Sequence, residues 1–150
     1  MTDEEAKALG ERALATGLWL DKDGLWPDGA LAGDGRRCLA STWYDGPWHT
    51  WWGGGPEVVC EREAPAGAWP DFRDDATRGC LLARARGAWG KRALAVVCFA
   101  DPGEEYGEQW RVWSYASSLV HRGNIVSGTT EIEALVAVLK TAPRVQGKKP

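Results

Sequence analysis

The chain has 150 residues, 44% of them hydrophobic and 26% charged, with a formal net charge of −3. This balance is that of one soluble globular domain with enough apolar residues for a core, and it gives no electrostatic ground for nucleic-acid or membrane-surface binding. No run of 18 apolar residues is present and the acidic start Met1-Thr2-Asp3-Glu4-Glu5 has no apolar leader region, so a cytoplasmic protein without a spanning helix is expected.

The first element is a helix over 2–15. Thr2 and Glu5 have capping-box spacing, Ala6, Leu9, Ala13 and Leu14 recur on one face, and Gly17 stands where a helix ends. Residues 18–63 break into short β-type runs divided by Gly and Pro. Trp19-Leu20 reads as a short strand, and Asp23-Gly24 as a hairpin turn into Leu25-Trp26. Further strands are expected over 37–44, 48–52 and 57–63, with a turn at 45–47 and a glycine run after Trp52. Residues 64–72 form a Pro-containing connector.

A second helix is expected from a cap at Asp74 or Asp75 to about Trp89, with Leu81, Ala85 and Ala88 on one face. Ala93–Ala100 is apolar throughout and is predicted to be a central strand. Residues 109–116 form a strand with Trp110 and Val112 on one face and Trp113 and Tyr115 on the other. Residues 119–120 extend or resume it, and His121-Arg122-Gly123-Asn124 reads as a turn before Ile125-Val126. Thr129 or Thr130 caps the last helix, whose stripe is Ile132, Leu135, Val136 and Leu139, and Pro143 ends it.

Strands between helices, without regular βαβ alternation, define an α+β class. The expected architecture is an antiparallel sheet flanked by about three helices, in the order α-β(several)-α-β-β-α. One domain is expected over 1–143, with 64–72 as the place for a subdomain break, and 144–150 as a basic disordered tail.

Cys38, Cys60, Cys80 and Cys98 are scattered among apolar neighbours without paired ligand spacing, so reduced, mostly buried thiols and no metal are expected. Neither a Walker-type phosphate loop, nor G-x-S-x-G, nor H-E-x-x-H occurs. With only His49 and His121 as histidines, no catalytic residue and no cofactor are assigned, and an enzyme is not expected.

The ten tryptophans are the sharper signal. Each indole brings a large apolar area and an N–H that needs an acceptor, and a core is filled more simply by Leu, Ile and Val. Part of the set is therefore expected at a recognition surface. Trp48, Trp51, Trp52, Trp110 and Trp113 are the candidate contact residues, with Arg84 and Arg86 at the edge. The alternative for the rings of 48–52 is an ordinary aromatic core; a second is a platform for stacking a small ligand or nucleotide. The basic run 78–92 and the acidic run 101–108 are read as mutually neutralising.

The segments Thr77-Arg78-Gly79-Cys80-Leu81-Leu82-Ala83, Ala88-Trp89-Gly90 and Ser127-Gly128-Thr129-Thr130-Glu131-Ile132-Glu133-Ala134-Leu135-Val136-Ala137-Val138-Leu139-Lys140 together resemble a family of small hypothetical proteins carried by bacteriophages and prophages. The resemblance covers roughly 71–143, with a weaker echo in Glu11–Ala15. It implies an accessory protein of the bacterial host cytoplasm and carries no activity with it. The resulting expectation is a protein that binds and modulates a host protein, in its narrowest form an inhibitor of a defence system. Nucleic acid is not favoured as a partner.

Overall fold

The computed structural model describes residues 1–22, 24–39, 51–53, 59–60, 66–89, 93–100, 108–115 and 122–142. The elements are α1 (Asp3–Ala15), β1 (Arg37–Leu39), β2 (Trp51–Gly53), β3 (Val59–Cys60), α2 (Asp75–Ala88), β4 (Ala93–Ala100), β5 (Glu108–Tyr115), β6 (Arg122–Gly128) and α3 (Glu131–Thr141). The class is mixed α+β. The expected turn at 45–47, the break after Ala100, the continuation at 119–120 and the tail after residue 143 lie outside the described residues.

Every described strand pair is antiparallel. The strands form two three-stranded sheets, in the orders β1-β2-β3 and β4-β5-β6, where the sequence suggested one. The chain divides into two compact units, Met1–Ala83 and Arg84–Pro150.

In the first unit, α1 begins as its capping box dictates. The Thr2 hydroxyl accepts from the Glu5 N–H at 3.2 Å, and the Thr2 N–H donates to the Glu5 carboxylate at 2.7 Å. Its buried stripe is Ala6, Leu9, Gly10 and Ala13, with Leu14 only partly covered. Gly10 belongs to that stripe because a Cβ there would stand 2.6 Å from the Pro70 carbonyl oxygen and 3.1 Å from the Trp69 ring. Gly33 meets the same ring, and a Cβ there would come within 2.1 Å of it. Trp69 is thus wedged between two positions that lack a side chain.

The segment read as a connector is therefore part of the fold. Leu31–Gly33 bonds on one side to Arg36 and bridges Arg37, and on the other it pairs with 69–71 through Gly33 N–H to Trp69 C=O and Asp71 N–H to Leu31 C=O, both 2.9 Å. Phe72 is fully buried.

Trp19-Leu20 is not a strand. Asp21 closes a local turn there: its carbonyl accepts from Gly24 N–H, and its side chain accepts from Leu25 N–H at 2.9 Å. This local bonding competes with extended pairing.

In the second unit, β4 and β5 pair without interruption from Ala93↔Tyr115 to Ala100↔Glu108, and β5 pairs with β6 across a register shift between Val112 and Trp113. The expected turn at 121–124 is corrected by this pairing. Arg122, Gly123 and Asn124 lie in β6 opposite Tyr115, Ser114 and Trp113, because the irregularity lets the ladder continue past the glycine. Among the described strands, the apolar β4 is at the edge of its sheet and not at the centre.

Helix α3 is capped by Thr130, whose hydroxyl accepts from Glu133 N–H at 3.2 Å; the Glu133 carboxylate turns to Thr129. It lies mainly over β6 and β5. Six of its residues are buried, from Ile132 to Leu139, more than the expected four-residue stripe, so it is covered on more than one side. Part of that cover is Trp89, whose indole N–H donates to the Val138 carbonyl at 3.1 Å.

Candidate recognition surface

Three of the tryptophans build the interior of the first unit. Trp19 meets Trp26 edge-on at a centroid distance of 5.8 Å and Phe72 at 5.4 Å, and Trp26 meets Trp52 at 5.1 Å. These T-shaped contacts suit the ring quadrupoles and add about 0.5–1.5 kcal/mol each beyond area burial. Trp19 and Trp52 are 0% and 1% exposed, and neither indole N–H has an acceptor among the described residues. Trp52 was expected on the contact surface. The correction is physical: β2 pairs on both sides, with Cys38 and Val59 opposite Trp52, and its ring is needed against Trp26. The stacking platform expected over 48–52 loses the Trp52 ring with it.

Trp51 occupies the β2 position opposite Leu39 and Cys60, and Trp113 the β5 position opposite Ala95 and Asn124. Trp48 lies outside the described residues. Trp110 is half-buried on β5, opposite Cys98 and Gly128. A Cβ on Gly128 would stand 2.7 Å from the Ala134 nitrogen, so the sheet face bearing Trp110, Val112 and Gly128 is the one under α3. Val112 is fully buried there, whereas Trp110, level with the entry into α3, is only partly buried.

Arg84 is half-buried, and its Nε has no hydrogen-bond partner among the described residues; Arg86 is exposed. Of the seven residues predicted to recognise a partner, Trp110, Arg84 and Arg86 have an accessible described side chain.

A charged clamp escaped sequence reading. Arg37 donates from Nη2 to Asp74 Oδ1 at 2.8 Å and from Nη1 to Oδ2 at 3.1 Å, and also to the Gly29 carbonyl at 2.6 Å. Asp74 Oδ2 further accepts from the Thr77 N–H at 2.9 Å and from its hydroxyl at 2.8 Å, capping α2. The buried Thr77 oxygen accepts in turn from Leu31 N–H at 2.8 Å. The cap was legible at Asp74; the partner 37 residues earlier carried no local signal. The Arg37 guanidinium and the Thr77 donors hold the Asp74 carboxyl well below the usual carboxylate range. Asp71 is lowered by Arg73, which also pairs with Asp3.

These depressed values set the direction of acid sensitivity. The denatured chain takes up a proton at Asp74 near its ordinary value of about 3.9, while the folded chain stays ionised. The stabilisation is therefore present above that value and is lost as pH falls through the folded one. Urea midpoints measured from about pH 5 down to about pH 2 should fall less steeply for Asp74→Asn than for the parent. Parallel curves would show that the clamp contributes nothing to the acid response.

Cys38 is buried, and burial pushes its thiol up to about 12. Its Sγ approaches the Trp26 carbonyl at 3.9 Å, and Cys80 reaches the Asp28 carbonyl at 3.4 Å. Neither is in a disulfide. Among the described residues no cluster of three or more His, Cys, Asp or Glu is placed to hold a metal, and no helix is long and apolar enough to cross a membrane. Comparison of the chain with protein-family models, curated proteins and solved structures finds no match.

Proposed function

We propose that the chain is a non-enzymatic accessory protein of phage or prophage type that binds and modulates a protein of the bacterial host cytoplasm, in its narrowest form a defence protein. The finer architecture of three helices flanking antiparallel sheet, in the order α-β(several)-α-β-β-α, belongs to the same reading. The observation that carries the binding role is Trp110. Two positions from the fully buried Val112, it is only partly buried. Indole and guanidinium most often carry interface energy, because they join large area to a few directed hydrogen bonds. The guanidinium groups of Arg84, which is half-buried, and of the exposed Arg86 are the proposed source of that second chemistry. Trp113 on the same strand belongs to this proposed set, and Trp48 and Trp51 of the first unit are proposed as contact residues in their own right.

The test compares the full chain with Trp110→Ala as bait in bacterial lysate, followed by affinity measurement with the retained protein. Trp110→Ala should weaken binding by about 2 kcal/mol or more, roughly thirtyfold, with little change in denaturation midpoint. Unchanged affinity, or affinity lost only in step with stability, overturns the role of Trp110.

A further inference from the structure

We infer that the outer edge of β4 is a self-association surface, on which a second copy of the chain pairs antiparallel to form one continuous six-stranded sheet. The first observation is position. The sheet order is β4-β5-β6, so one side of β4 bears backbone donors and acceptors that no described strand takes up. The second is sequence. Ala93-Leu94-Ala95-Val96-Val97-Cys98-Phe99-Ala100 has eight residues with no charge, proline or glycine. The third is regularity. The β4–β5 ladder runs through eight consecutive pairs, and the register shift recorded among the described residues of this sheet falls between β5 and β6.

Edge strands are normally protected by lysine, proline, a bulge or shortness, because an open regular edge is a template for another strand. Strand β4 has none of these protections. Its unbroken apolar composition is that of a strand withdrawn from water, which an open edge strand is not. Pairing with a second copy resolves the conflict, since each β4 then becomes one of the two central strands. The absence of charge along 93–100 favours a second copy as the occupant. An uncharged edge offers no complement to a charged foreign strand, and it incurs no repulsion against itself. Nor does α3 obstruct the approach, because it lies mainly over β6 and β5.

Symmetry fixes the register further. A two-fold axis perpendicular to the sheet makes the strands antiparallel and keeps each face on its own side, so even-numbered residues oppose even-numbered ones. With the greatest overlap of 93–100, the axis passes between the two copies of Val96 or of Val97.

The experiment is light-scattering mass determination on the full chain over a concentration series, with hydrogen exchange of the β4 amides under the same conditions. The expected result is a particle of twice the 16.4 kDa chain mass with all amides of 93–100 protected, and loss of protection at alternate β4 amides on dilution to monomer. Val97→Lys should shift the dimer to monomer with its circular dichroism retained, while Asn124→Lys on the opposite edge strand should leave the dimer intact. A monomer at every concentration overturns the proposal, as does a dimer with rapidly exchanging alternate β4 amides. A folded Val97→Lys dimer does the same. If Val97→Lys does not fold, the dilution dependence of exchange in the parent chain decides.

Discussion

Trp19→Ala should lower the unfolding free energy by about 3–5 kcal/mol, the range for removing a large buried ring. The ring is 0% exposed and sits between Trp26 and Phe72, each met edge-on. Alanine would leave a void bounded by two aromatic rings that are themselves packed, so little collapse can fill it. The loss is large against a typical total of about 5–15 kcal/mol. Trp19→Phe should cost distinctly less, because it keeps a ring in the site and removes an N–H that has no acceptor among the described residues. Chemical denaturation of both variants checks this. Equal losses would mean that the indole N–H is satisfied and matters as much as the ring.

Leu135→Ala is the second large effect, at about 2–5 kcal/mol. Leu135 is 1% exposed at the middle of α3, among Ile132, Ala134, Val136, Val138 and Leu139, all buried. A helix covered on more than one side has no solvent-facing slack into which neighbours can move. The cost should therefore fall in the upper part of that range, measured as a shift of the denaturation midpoint. A midpoint equal to that of the parent would place residue 135 at the surface and contradict the helix register.

The helices were legible because their signals are local. Thr2/Glu5, Asp74 and Thr130/Glu133 each declare a start within four residues, and the α3 stripe repeats at the helical period. Strand β5 was legible for a similar reason, although its neighbour β6 was not. Gly123-Asn124 looks like a turn locally, and only its pairing across the register shift makes it strand. Strand β4 was found but misplaced, since apolar composition reports burial and says nothing of which strands lie beside it. The aromatic residues divide in a way that no spacing could reveal. Trp52 and Trp110 both sit on strands, yet one closes a core and the other is only partly buried. Trp69 was hidden because its reason for being there is the absence of side chains at Gly10 and Gly33, 59 and 36 positions earlier.

That long reach has a consequence for synthesis. Helix α1 is complete once residue 15 has emerged, but the groups it packs against, Trp69 and Pro70, and the Arg73 guanidinium that holds Asp3, arrive more than fifty residues later. At a translation rate of about 5–20 residues per second, the α1 segment waits on the order of 3–10 seconds for these partners. The Arg37–Asp74 clamp and the Thr77–Leu31 bond can close only after that interval, all within a few residues of one another. Folding of the N-terminal unit on the ribosome is thus timed by residues 69–77, and a pause in translation just before them would prolong the period in which a chaperone finds the helix bare.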